Sequence, residues 1–440
     1  MSLWPLGLMI ALFVLCFVRF KWPLGLALAT AALVGGLAQG VPLWNTSQGG
    51  LTVPGSSIWR HLVEGGFVYI DPILIMVTAL LFMKVIEENG LLAALTWWIL
   101  RGLGRRPALL SVALALFVAF PGFLTGLTTA SVLTTGAIAA PALMRMGLDA
   151  RRAGAFIAFC AILGMAAPPV NIPAMIICSG VDMPYLGFTT PLLLLTLPPL
   201  VGVALGLAWR PLRRGDAAAV LAELDRGPID RHGLLLLLPL LLVAVLLAGP
   251  RLWPQRWATP GLPLIFLAGA LAGLCCGDRV RPLRAAEAAL RQALPVMGIL
   301  VGVGCFIQVL TLTGQRGALV LAVLQLPHWA TWLGIAVSLP VFGAVSAFGS
   351  ASVLGVPFLL ALLGRPEIWV CAGLSMLAGL GDLMPPAALA GRFAAQITGE
   401  GRYALVLRHC ALPALFTALW ALAVMAASPW LAAALLSATG

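Results

Sequence analysis

Charged side chains are what this sequence has least of. They make up 9% of 440 residues, only 15 of them acidic, against 61% hydrophobic and a mean hydropathy of +1.05. A soluble domain carries about a quarter charged residues. So little polar surface cannot cover a globule in water, which excludes a soluble fold and predicts an all-α polytopic membrane protein. At roughly 20 residues per crossing plus loops, about ten to twelve spans fit.

Other absences exclude whole function classes. The eight cysteines lie in or beside apolar runs, and none forms a CxxC or Cys/His ligand pattern, so they read as small packing residues and no transition metal is expected. There is no HExxH, no GxSxG and no paired-carboxylate cluster within an apolar run. The four histidines (His61, His232, His328, His409) are far apart at loops or span ends. An enzyme is therefore not expected, nor is an organic cofactor. The net charge of +11 comes from basic residues scattered through short loops, a pattern that membrane orientation demands and that gives no nucleic-acid surface. No positive leader precedes the first apolar run. Arg19 and Lys21 follow it, so the expectation is a first span with its N-terminus outside and no cleaved signal.

What is present is a passage that occurs twice. Thr129-Ala130-Ser131-Val132-Leu133 opens a Gly/Ala/Pro-rich stretch that reaches Ala167-Pro168-Pro169-Val170-Asn171. Ser350-Ala351-Ser352-Val353-Leu354 opens another that reaches Gly381-Asp382-Leu383-Met384-Pro385-Pro386. Lipid cannot satisfy backbone groups freed by such breakers, so both stretches must line a protein interior or a wet cavity. Two broken spans at matching places in two halves point to a secondary-transporter site.

Around them the first half reads as plain spans 3–19, 23–40 and 67–87, an amphipathic stretch 90–103, a re-entrant hairpin 107–145 turning at Pro121–Gly126, a broken span 153–180 and a plain span 189–209. A polar linker, 210–232, follows. The second half repeats the order: plain spans 233–249, 261–276 and 293–313, a hairpin 329–363 turning at Ser346–Ser350, a broken span 367–398 and a plain span 403–427. Starting outside, this order leaves 21 of the 26 basic residues in inside loops, with Arg60, Arg251, Arg256, Arg316 and Arg365 outside, as the positive-inside rule requires. Each half then makes five full crossings, so the second runs upside down relative to the first, an inverted repeat. Trp97, Trp98, Trp253, Trp257, Trp329 and Trp332 fall near span ends as interface anchors. Leu91–Leu103, and its counterpart 280–292, read as helices lying on the cytoplasmic surface. Gln308, mid-span, reads as a scaffold hydrogen-bonder.

With both breaks in place, the chain resembles the large, DctM-type membrane subunit of tripartite ATP-independent periplasmic (TRAP) transporters, in the ion transporter superfamily. Gly136-Ala137-Ile138 through Met144 with Gly147-Leu148-Asp149, then Gly164–Pro173, Gly379–Pro386 and Gly401–Met425 carry the resemblance. Three positions depart from it: the first tip, Thr125–Ser131, has no acid, Met384 precedes the second double proline where Thr is usual, and Asp382 stands where the family tends to be apolar.

The resemblance implies an elevator-type, ion-coupled importer of small organic anions such as dicarboxylates or sugar acids. It would reside in a bacterial inner membrane beside a small four-span membrane subunit and a periplasmic substrate-binding protein. Residues 1–106 and 233–328 would be scaffold; 107–209 and 329–440 would be transport parts, joined by the linker. One sodium site would use carbonyls or hydroxyls around Thr125, Thr128, Ser131, Gly164 and Asn171. Its mirror would use Ser346, Gly349, Ser350, Ser352, Gly381 and Asp382. Substrate would sit near Thr129, Ser131, Pro169, Asn171, Ser352 and Pro386. Helix ends at mid-depth suit this, since exposed N-termini attract anions and free carbonyls coordinate cations. A carboxylate in a membrane interior is a functional candidate by default; Asp382 either coordinates a cation, carries a coupling proton or pairs with Arg392. Arg392 either meets the anion or snorkels to the cytoplasmic surface. The alternative within transport is a stand-alone, proton- or sodium-driven superfamily member without partner subunits.

Overall fold

The computed structural model describes residues 4–45, 47–48, 51–52, 57–223, 226–252 and 260–439. Trp253, Trp257 and Arg256, expected at an interface or outside, lie beyond these residues, as does Asp225 of the linker. Helices dominate; among the described residues the only strand pairing is the two-residue ribbon Ser47–Gln48 with Leu51–Thr52. Among the described residues, five helices are individually long and apolar enough to cross a membrane, or six if the bent pair Ile58–Phe67 and Ile70–Glu88 is one span. The other apolar helices are shorter or broken, as backbone buried within protein permits.

The chain builds two helix clusters. In one, the 31-residue helix Pro282–Leu312 packs against Leu24–Ala38, Ile58–Phe67 and Ile70–Glu88. Contact there depends on missing side chains: a Cβ on Gly25 would meet the Gly298 carbonyl oxygen at 1.9 Å, and one on Gly302 the Gly25 oxygen at 2.3 Å. Small residues let apolar helices approach to backbone distance in a membrane, where hydrophobic burial gives little drive. In the other cluster, the buried helix Ala150–Ala166 packs against Pro107–Thr125, Leu389–Ile397 and Tyr403–Ala426.

The second half repeats the element order of the first. The bent pair of 10 and 19 residues corresponds to the single helix of 31. Each is followed by a glycine at positive φ, Gly90 (+91°) or Gly314 (+71°), that opens a short arm, Leu91–Leu103 or Gln315–Leu324. Both hairpins follow. The first is Pro107–Thr125 returning through Thr128–Arg145; the second is His328–Gly343 returning through Ala347–Ala361. Each return limb carries a π-helical segment, Val132–Gly136 or Ala351–Gly355.

The first hairpin turns at Gly126–Leu127, not over Pro121–Gly126. Its helix passes through Pro121 and ends on Gly126, whose φ of +66° closes it by a Gly126 N–H bond to the Gly122 carbonyl. The second turns at Ala344–Ser346, and Ser346 is the N-cap of the return limb, accepting from Gly349 N–H at 3.0 Å. The π segments show that Ser131 corresponds to Ser350, not to Ser352, so the twin passages are offset by two residues. Residues 280–292 are not a separate surface helix but the start of Pro282–Leu312; the true counterpart of the first arm is Gln315–Leu324. The linker is itself folded. Its helices Ala217–Glu223 and Gly227–His232 pack on the first arm, Arg101 and Arg226 stack on Trp97 at 4.7 and 5.0 Å, and Arg231 and His232 both reach Asp278.

Candidate functional site

Each double proline breaks a span and ties it to the neighbouring hairpin. Proline removes its own N–H and clashes with the preceding turn, so Ala150–Ala166 stops before Pro168-Pro169 and Glu367–Leu380 gives way before Pro385-Pro386. The peptide within each pair is cis. The next residue then donates its N–H across: Val170 to the Phe123 carbonyl at 3.2 Å, Ala387 to the Ala344 carbonyl at 3.1 Å. Beside these ties the backbones touch through glycine. A Cβ on Gly164 would lie 2.3 Å from the Ala119 oxygen, and one on Gly381 2.1 Å from the Gly343 carbonyl carbon.

The two hairpin tips and the second break surround a cavity of 320 Å³. Leu127, Thr128 and Thr129 reach it from the first tip, and Val345, Ser346 and Phe348 from the second. Asp382, Pro386 and Arg392 come from the second break, and Met165 from the first. Phe17, Leu24, Val296 and Ile299, from the other helix cluster, close the far wall. The lining is largely apolar, with one carboxylate and one guanidinium. Its decisive contact joins residues 254 positions apart: the Thr128 hydroxyl donates to Asp382 Oδ2 at 2.9 Å, with both residues buried. Among the described residues Asp382 has no basic partner, so the expected alternative of an Asp382–Arg392 ion pair is not formed. Arg392 instead lies with Cζ 5.5 Å from the Tyr403 ring centre.

Of the residues expected at a site, the structure brings Thr128, Thr129, Ser346, Asp382, Pro386 and Arg392 to this cavity. The rest lie outside its lining. Thr125 bonds the Pro121 carbonyl at 2.7 Å and accepts from Leu127 N–H. Ser131 accepts from Gly122 N–H at 2.7 Å, and Ser350 donates to the Leu339 carbonyl at 2.8 Å; both staple the two limbs of a hairpin. Gly164 and Gly381 are close-packing points, and Gly349 donates to the Ser346 cap. Asn171 is fully buried and caps Ile172–Gly180 by accepting from Ala174 N–H at 2.9 Å; its amide donates to the Ala166 carbonyl and to Ser375 Oγ. Pro169 sits beside it. Of the residues expected near substrate, Ser131, Pro169, Asn171 and Ser352 do not line the cavity between the tips. Ser352 faces away, bonded to the Tyr69 hydroxyl at 3.0 Å.

Sequence reading missed Ser375, Met165, Phe348 and Tyr69. Ser375 had a signal, being the only hydroxyl in the buried helix Glu367–Leu380. Met165 and Phe348 had none, since apolar residues abound on every span.

The model of the DctM component of tripartite ATP-independent periplasmic transporters matches residues 6–431. The chain belongs to this family. Membership makes it the large component of a tripartite membrane transport system and not an enzyme. The fold of this DctM chain is similar to the crystal structure of the Alcanivorax borkumensis YdaH transporter, described as having an unusual topology. The TM-score is 0.59 at 17% identity, covering 95% of this chain and 98% of that one. No curated protein sequence matches it significantly.

Proposed function

We propose that this DctM chain is the ion-coupled transport subunit of a TRAP system, importing a small carboxylate through the cavity between its two hairpin tips. The observation that carries this reading is the Thr128–Asp382 bond at the cavity wall. It sets an acid, free of any basic partner among the described residues, beside the first tip. A carboxylate and a hydroxyl are hard oxygen donors suited to a cation such as sodium, and Arg392 at the same cavity suits an anionic cargo. Broken helices that place free backbone groups at a cavity are what such sites need.

In this reading the two halves are inverted repeats, and the N-terminus is outside, with the basic loops in the cytoplasm of a bacterial cell. The hairpins, broken spans and the helices 189–212 and 403–426 move as an elevator. The helices around Pro282–Leu312 are the fixed frame, and the folded linker braces the first arm against it. Substrate arrives on a periplasmic binding protein, and a four-span subunit joins the frame. Asp382, lacking a cationic partner, also favours a second reading, in which it carries a coupling proton.

The test is uptake of radiolabelled carboxylates into proteoliposomes holding the complete complex. It is run with an inward sodium gradient, a proton gradient or none, and with or without the binding protein. Accumulation that requires sodium and the binding protein supports the first reading. Accumulation driven by protons alone supports the second, and accumulation without the binding protein supports a stand-alone carrier.

A further inference from the structure

A second cavity, of 170 Å³, lies on the other side of the second hairpin's return limb. It is built where the two helix clusters meet. Tyr69 comes from the bend between Ile58–Phe67 and Ile70–Glu88, Gln308 from Pro282–Leu312, and Arg316 from the first turn of the second arm. Ser179 and Gly180 end the helix Ile172–Gly180, and Ser352 belongs to the π segment of the hairpin. Where the main cavity is mostly hydrocarbon, polar and apolar groups share the lining of this one about equally.

Arg316 has no acidic partner among the described residues. Its guanidinium gives one bond, to the Gly180 carbonyl oxygen, out of the five N–H donors it carries. Close by, the Tyr69 hydroxyl and Ser352 Oγ share a bond of 3.0 Å and are both nearly fully buried. Together they keep one hydroxyl hydrogen free to turn toward an acceptor. The Glu64 carboxylate, beside Gln308, is already held by Arg60 at 2.7 Å. A planar guanidinium fork flanked by hydroxyls and an amide is a recognition set for a carboxylate.

We propose that this cavity is a second anion site, where Arg316, Tyr69, Ser352 and Gln308 hold one carboxylate group of a small organic acid outside the main cavity. The site rests on the reading of this chain as an anion importer. Tyr69 belongs to one helix cluster, Gly180 and Ser352 to the other, and Arg316 to the arm that packs on both Pro282–Leu312 and the second hairpin. A bound carboxylate takes the spare guanidinium N–H groups and the spare hydroxyl hydrogen, and leaves the Arg316–Gly180 and Tyr69–Ser352 bonds in place.

Ser179 is exposed at the cavity rim, which gives the test its probe. The full-length S179C protein is treated with a small neutral thiol reagent, and the peptide carrying position 179 is followed by mass spectrometry. Succinate is expected to slow modification about threefold at two-thirds occupancy, and sulfate at matched ionic strength is not. Adding R316Q is expected to abolish the slowing, R316K to weaken it, and R392Q to leave it intact. Undiminished slowing in R316Q, its loss in R392Q, equal slowing by sulfate, or no slowing by succinate each overturns the site. R316K keeps the charge, so its result stands if R316Q does not fold. Uptake measured in parallel separates the two claims: transport without protection refutes this site alone, and protection without transport refutes the import reading alone.

Discussion

Replacing Thr128 with valine removes one hydroxyl and little volume. That hydroxyl is the only protein donor to Asp382 among the described residues, at 2.9 Å in a buried setting. A hydrogen bond to a charged group contributes about 1.5–3 kcal/mol, and every 1.4 kcal/mol is tenfold in an equilibrium constant. If the carboxylate coordinates the coupling ion, the bond that orients it is worth roughly ten- to a hundredfold in ion affinity. The assay is initial uptake in proteoliposomes as a function of sodium concentration. T128V is expected to raise the half-saturating sodium concentration by that factor, with maximal rate changing less, and T128S to restore most of it. A T128V protein with native sodium dependence would refute the reasoning, since Asp382 would then have no functional tie to the first tip.

Other outcomes follow from the same contacts. G164A and G381A each force a methyl to within 2.3 Å of backbone, and overpacking costs about 1–3 kcal/mol; both are expected to lower the thermal midpoint in detergent, while G66A, facing only Val301 at 3.6 Å, is not. N171A removes a helix cap and two amide bonds and is expected to cost about 2 kcal/mol or more, whereas S375A, which leaves the Ala166 bond, costs about 1 kcal/mol; thermal unfolding ranks them. W97A removes a buried ring stacked by Arg101 and Arg226, so limited proteolysis is expected to cut the linker between 213 and 232 faster than in the native protein.

Much of the architecture was legible because it depends on chain-local chemistry. Double prolines end helices wherever they occur, so both broken spans were readable to within a few residues, and glycine-rich turns marked both hairpins. Turn positions were misread where a breaker is tolerated: Pro121 sits inside a helix whose Thr125 hydroxyl bonds the Pro121 carbonyl. The two-residue offset between the twin passages was hidden because Ala-Ser-Val-Leu repeats in letters while the π segments set the true correspondence. Residues 280–292 carry the charges of a surface helix, yet nothing in them stops the helix before Leu312. The site was half legible. Thr128 and Asp382 each stood out as polar residues at a break, but their meeting spans 254 positions and has no sequence signal. Asn171 and Ser352 also stood out and face elsewhere, because polarity beside a break also marks a cap or a tie between helices.

The central claim is that Asp382, at the cavity between the tips, couples ion to cargo. The most direct measurement is uptake by native and D382N complexes side by side, in proteoliposomes with an inward sodium gradient and the binding protein supplied. The native complex is expected to concentrate the carboxylate above the external level, and D382N to fail to. Concentration by D382N to the native level would contradict the account.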